Sequence, residues 1–139
     1  MSDEPVPASA PPARPARVLI VDDLQDGREL LGDYLSLAGF EVLEAANGAL
    51  GVAKALAELP SVILMDLTMP VMDGWEASRL LKADPRTRAI PIIALSGHSL
   101  EGEIGVKKPA CDSYLVRPCR PAVVVAEVKR MLAEHVPVV

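Results

Sequence analysis

The run Arg17-Val18-Leu19-Ile20-Val21-Asp22-Asp23 decides the fold class. Val18 to Val21 is continuously apolar, so a strand built from it has no face to offer water and must be covered on both sides, as in a parallel sheet between helices. The same pattern repeats along the chain. Leu30, Leu31, Tyr34, Leu35 and Ala38 recur at helical spacing, and Gly39 follows as a C-terminal stop. Glu41 to Ala45 reads as a second strand, and Asn47 as the N-cap of a helix that carries Leu50, Ala53 and Leu56 to about Glu58. Val62 to Met65 is a third strand. Asp73 and Gly74 open a helix with Ala77, Leu80 and Leu81 on one face, which ends before Asp84-Pro85. Pro91 to Leu95 is a fourth strand. Residues 99–108 read as a short helix weakened by Gly102, Gly105 and Pro109. Ser113 to Val116 is a fifth strand, and Pro121 opens a last helix with Val124, Val128, Met131 and Leu132 facing inward. The predicted class is α/β: five βα units forming a five-stranded parallel sheet with helices on both faces.

Composition sets the outer limits. A chain of 139 residues fits one domain, and 50% hydrophobic with 3% aromatic residues means a core of Val, Leu, Ile and Ala. Residues 1–16, rich in Pro and Ala, cannot bury enough surface to offset their ordering entropy and read as a disordered arm, leaving 17–136 as the domain. A net charge of -5 argues against direct contact with nucleic acid, which selects basic surfaces. The apolar runs fall far short of the roughly 20 residues that cross a bilayer, and the start Met1-Ser2-Asp3-Glu4 lacks the basic and apolar segments of a secretory signal. The expected compartment is the cytoplasm, where Cys111 and Cys119 would stay reduced and serve as small buried hydrophobes.

In open α/β sheets, ligands bind beyond the carboxyl ends of the strands. There the first strand delivers Asp22 and Asp23, the third Asp66, the fourth Ser96 and the fifth Arg117. One Asp after a strand is usually a turn or helix cap. Three at one edge repel each other unless a cation neutralises them. An all-oxygen donor set of this kind suits Mg²⁺, which is commonly held by one or two carboxylates together with a phosphate. Flanked by a metal and Arg117, Asp66 becomes a nucleophile toward phosphorus, forming an aspartyl phosphate whose charge is balanced electrostatically, with Ser96 placed to bond one of its oxygens. His98 reads as solvated surface.

Val-Asp-Asp (21–23), Met-Asp-Leu-Thr-Met-Pro (65–70) with Met-Asp-Gly (72–74), Ala-Leu-Ser-Gly (94–97) and Tyr-Leu-Val-Arg-Pro (114–118) together resemble the response-regulator receiver family, over about Arg17 to Met131. The resemblance implies the flavodoxin-like strand order 2-1-3-4-5. It implies Asp66 as phosphoacceptor, Asp22 and Asp23 as the acidic pair that positions Mg²⁺, and the backbone carbonyl of Thr68 as a further metal ligand. Ser96 matches the switch hydroxyl and Tyr114 the aromatic that reports the switch to the surface. Thr68 and His98 stand where family members vary their dephosphorylation rate. The implied donor is a phosphohistidine on a sensor histidine kinase or phosphotransfer protein, the implied readout a downstream protein partner, and a weak dimer is among the implied assemblies. Such a domain catalyses only its own phosphorylation and dephosphorylation and is not otherwise an enzyme.

Two features depart from the family. Arg117 stands where the family places lysine before the proline, giving a planar fork in place of a point charge. The helix after the fourth strand is interrupted by Gly105 and Pro109, and Ala110 stands just before Cys111 where the family has glycine. A pseudo-receiver, a binding module acting without phosphate, is the rival that Arg117 supports. A haloacid-dehalogenase-type enzyme needs a second acid two residues after the nucleophile, and Thr68 occupies that position.

Overall fold

β1 (Arg17–Val21) is buried from Val18 onward, and the fold covers both its faces. It pairs in parallel with β2 (Glu41–Ala45) on one side and β3 (Val62–Asp66) on the other. β4 (Ile92–Ser96) and β5 (Ser113–Val116) extend the sheet, all parallel, to the order β2-β1-β3-β4-β5. The helices among the described residues are α1 (Gln25–Leu37), α2 (Gly48–Glu58), α3 (Gly74–Ala83) and α4 (Pro121–Glu134). The structure is a computed structural model that describes residues 15–67, 69, 71–97 and 110–135. The helix expected over 99–108, residues 1–14 of the expected arm, Thr68 and His98 lie outside the described residues. Among the described residues no helix is long and apolar enough to cross a membrane.

Alternation along each strand divides the core in two. Val18 and Ile20, Val62 and Leu64, Ile93 and Leu95 point to one face, where Leu35 of α1 and Val124, Val128 and Met131 of α4 cover them. Leu19 and Val21, Ile63 and Met65, and Ile92 point to the other, against Ala55 of α2 and Ala77 and Leu81 of α3. Strands sandwiched in this way explain the unbroken apolar runs. The edge strands differ, since β2 and β5 are each only partly covered.

The helix boundaries follow their local chemistry. Asn47 and Asp73 each accept a hydrogen bond from the backbone N–H three residues on, at 2.8 and 2.9 Å. α1 ends in a Schellman motif: Gly39 takes φ +99°, Phe40 N–H donates to Leu35 O and Gly39 N–H to Ser36 O.

The apolar positions read on three helices are not all buried. On α1, Leu30 and Tyr34 are exposed and Leu35 carries the burial; on α3, Leu80 is exposed while Ala77 and Leu81 are buried. On α2 the packed face is Gly48, Gly51, Val52 and Ala55, with Leu50 and Ala53 turned outward. The cause is close approach: a Cβ on Gly51 would stand 2.8 Å from Val21 Cγ1, and one on Gly48 would stand 2.2 Å from the Met72 carbonyl oxygen. Small residues bring α2 onto the sheet, and the large ones have no room beneath. Cys111 and Cys119 are half-buried rather than buried, and both are free. Burial, with the charge of Asp112 adding to it, pushes the Cys111 thiol up to about 11.

Ser78 is fully buried in α3, and among the described residues its hydroxyl has no hydrogen-bond partner. A buried hydroxyl without a partner carries its desolvation cost uncompensated. Ser78→Ala is therefore expected to stabilise the fold by about 1 kcal/mol, read as a higher urea midpoint at unchanged slope. An unchanged or lower midpoint would contradict this account of the site.

Candidate functional site at the carboxyl edge of the sheet

Chain progression along the sheet reverses between β1 and β3, and the acids converge at that crevice. Asp22 follows β1 directly. Its backbone N–H donates to Ala45 O (3.1 Å), which extends the β1–β2 ladder by one bond. Its side chain is only 2% exposed, and both oxygens are engaged: Oδ1 accepts from Leu24 N–H (2.9 Å) and Oδ2 from Arg117 Nη2 (2.7 Å). Asp66, the last residue of β3, is also buried, with Arg117 Nη1 at 3.7 Å from its Oδ2. Asp23 is the least buried of the three acids. One carboxylate oxygen from each of Asp22, Asp23 and Asp66 lies within 4.8 Å of the others.

Magnitudes indicate what this arrangement requires. Two unit charges at such a separation repel by about 3–4 kcal/mol at an effective dielectric near 20. Three such pairs rival the whole stability of a domain, roughly 5–15 kcal/mol. The Arg117 guanidinium supplies one positive charge, so the cluster keeps a formal charge of minus two. Three carboxylates within reach of one centre, with no sulfur or imidazole among them, form a donor set that fits a hard divalent cation such as Mg²⁺.

Ser96 ends β4, is 3% exposed and lies one residue beyond Leu95, the register partner of Asp66. Its carbonyl accepts from Arg117 N–H (2.6 Å), so the hydroxyl and the cation are set on adjacent strand ends. Tyr114 lies on β5 three residues before Arg117 and is 47% exposed as a residue. The structure therefore gathers Asp22, Asp23, Asp66, Ser96 and Arg117 at one edge and leaves Tyr114 on the flank.

The contributions of two residues to this site were not read from the sequence. The first is Gly74, whose role depends on tertiary contact: a Cβ there would stand 2.0 Å from the Asp66 carbonyl oxygen. Its hydrogen anchors α3 against the end of β3, with Gly74 N–H donating to Leu67 O (3.3 Å). The second is Arg28, in the first turn of α1, which donates from Nη1 to the Asp22 carbonyl (2.6 Å) and from Nε to Glu44 (2.8 Å). A cation near a helix N-terminus runs against the helix dipole, and that was the available signal. The loop from Asp66 to Gly74 also holds Val71 at φ +72°, an unfavourable conformation for a β-branched residue that is 85% exposed.

Gly74→Ala should cost about 1–3 kcal/mol by overpacking and displace the Asp66 backbone. Chemical unfolding checks the first effect, and amide chemical shifts at 66 and 67 check the second. A variant of wild-type stability with unshifted amides would contradict the contact.

Comparison with known proteins agrees with this geometry. Residues 18–129 match the response regulator receiver domain as a family. The protein PilH of Pseudomonas aeruginosa is 37% identical over 119 residues, covering 85% of this chain and 98% of that protein. The response regulator PleD of Caulobacter vibrioides is 36% identical over 118 residues, covering 84% of this chain but 26% of PleD. Among solved structures, the chemotaxis protein CheY4 of Vibrio cholerae superposes with a TM-score of 0.76 at 32% identity, covering 84% of this chain and 98% of that one.

Proposed function

Because this chain belongs to the response-regulator receiver family, we propose that it is a phosphorylation switch whose acceptor is Asp66. The observation that carries the proposal is the convergence of three carboxylates with one guanidinium at the strand ends. A module held together by packing alone has no use for that charge density. The donor in this reading is a phosphohistidine of a sensor histidine kinase or phosphotransfer protein. An Asp66 carboxylate oxygen attacks phosphorus, the P–N bond breaks, and the imidazole nitrogen keeps the electron pair. Arg117 is 3.7 Å from Asp66 and serves the new phosphoryl oxygens electrostatically. Ser96, one register step from Asp66, supplies the hydroxyl that follows the phosphoryl group. Asp22, Asp23, Asp66 and the Thr68 carbonyl would hold Mg²⁺. When bound, the ion supplies the two positive charges that the pocket lacks and stabilises the transferring phosphoryl group.

The chemistry is confined to the chain's own phosphorylation and dephosphorylation, the output passes through the Tyr114 surface to a downstream protein in the cytoplasm, and a weak dimer is compatible with that output. Neither nucleic acid nor membrane is a direct partner in this reading. The rival, a pseudo-receiver, draws support from Arg117, whose bond to Asp22 already occupies part of the acidic pocket.

Incubation with acetyl phosphate and Mg²⁺, followed by intact mass, separates the two. The switch is expected to gain one phosphoryl group, and Asp66→Asn to gain none. A folded protein without the gain would establish the rival.

Arg117→Lys is expected to keep phosphorylation. A lysine cannot reproduce the guanidinium's two-pronged reach to Asp22 and Asp66, so it is freer to follow the phosphoryl group. The shift of a fluorotyrosine signal at position 114 on phosphorylation should therefore be larger in the variant. An equal or smaller shift would refute this role for the arginine.

A further inference from the structure

The geometry points to Arg28, braced by Glu44, as a positioning residue that sets the angle between the two acids after β1. The inference rests on the metal-dependent reading of the site. Arg28 Nη1 donates to the carbonyl oxygen of Asp22 at 2.6 Å, and that oxygen belongs to the peptide plane joining Asp22 to Asp23. Fixing the plane fixes the Asp23 N and Cα, the point from which its side chain leaves the chain.

The two acids depend on it unequally. Asp22 is held independently through its N–H and both carboxylate oxygens. Among the described residues, no hydrogen bond restrains the Asp23 side chain. Its approach to the shared centre is therefore set by the backbone, and the backbone at that point is held by Arg28.

The bracket is itself anchored. Arg28 Nε donates to Glu44 Oε1 at 2.8 Å, and the Arg28 side chain is 14% exposed. Glu44 lies in register with Ile20 on β2, so the guanidinium spans α1, the β1 exit and the sheet edge. The placement carries a local cost, because a cation in a helix's first turn opposes the dipole by about 0.3–1 kcal/mol. Its backbone N–H already forms the first helical bond, to Leu24 O, so the side chain is not needed to start the helix. Outer residues of this kind typically tune metal affinity by about 10–100-fold.

Isothermal titration of the full chain with Mg²⁺ tests the inference, with thermal unfolding in chelator as the measure of structure. Arg28→Ala should weaken Mg²⁺ binding by about tenfold, and Arg28→Lys, which can still donate to the carbonyl, should recover part of the loss. Glu44→Gln should weaken binding a few-fold. The double variant should match Arg28→Ala, because Glu44 acts only through the arginine. Affinity within twofold of wild type in a folded Arg28→Ala overturns the inference while leaving the metal reading intact. No recovery in Arg28→Lys, or full additivity in the double variant, also overturns it. Should Arg28→Ala not fold, unchanged affinity in Glu44→Gln overturns it alone. Absence of Mg²⁺ binding in wild type instead overturns the metal reading, and the inference with it.

Discussion

Like charges brought together by packing govern this molecule. The hydrophobic layers on both faces of the sheet force the strands into parallel register, and that register places Asp22, Asp23 and Asp66 within a few ångströms of one another. Apolar burial here drives the assembly of a repulsive site. Part of the repulsion is met by Arg117, which reaches two of the three carboxylates, and the net negative charge that remains fits a divalent cation.

Around this conflict the backbone is unusually constrained. Gly74 lets α3 lie against the Asp66 carbonyl, Gly48 lets α2 meet the Met72 carbonyl, and Val71 sits in a left-handed conformation between them. Each of these features lies between Asp66 and Gly74 or packs against that stretch. These close approaches fix the backbone at Asp66 and at Met72, on either side of the candidate site.

The fold and most of the site were legible in the sequence because both follow short-range rules. Runs such as Val18 to Val21 announce buried strands, Gly39 and Asn47 announce helix ends, and acids that directly follow strands announce an edge site. What escaped depended on distance in the chain. The packed face of α2 was not read from Leu50, Ala53 and Leu56, because what decides it is that only glycine fits over Val21 and Met72. Arg28 escaped because its partners, Asp22 O and Glu44, are brought together by β1–β2 pairing and not by any periodicity.

The ion pair between Arg117 and Asp22 joins residues 95 apart in sequence. As the chain leaves the ribosome, all three acids emerge well before the cation that offsets them, and the central strand acquires its neighbours before β5 exists. A nascent chain halted ahead of residue 117 would carry the charge conflict without its counterweight. The Arg117–Asp22 pair thus ties the exit of the first strand to that of the last, favouring all-or-none assembly over a stable half-built intermediate.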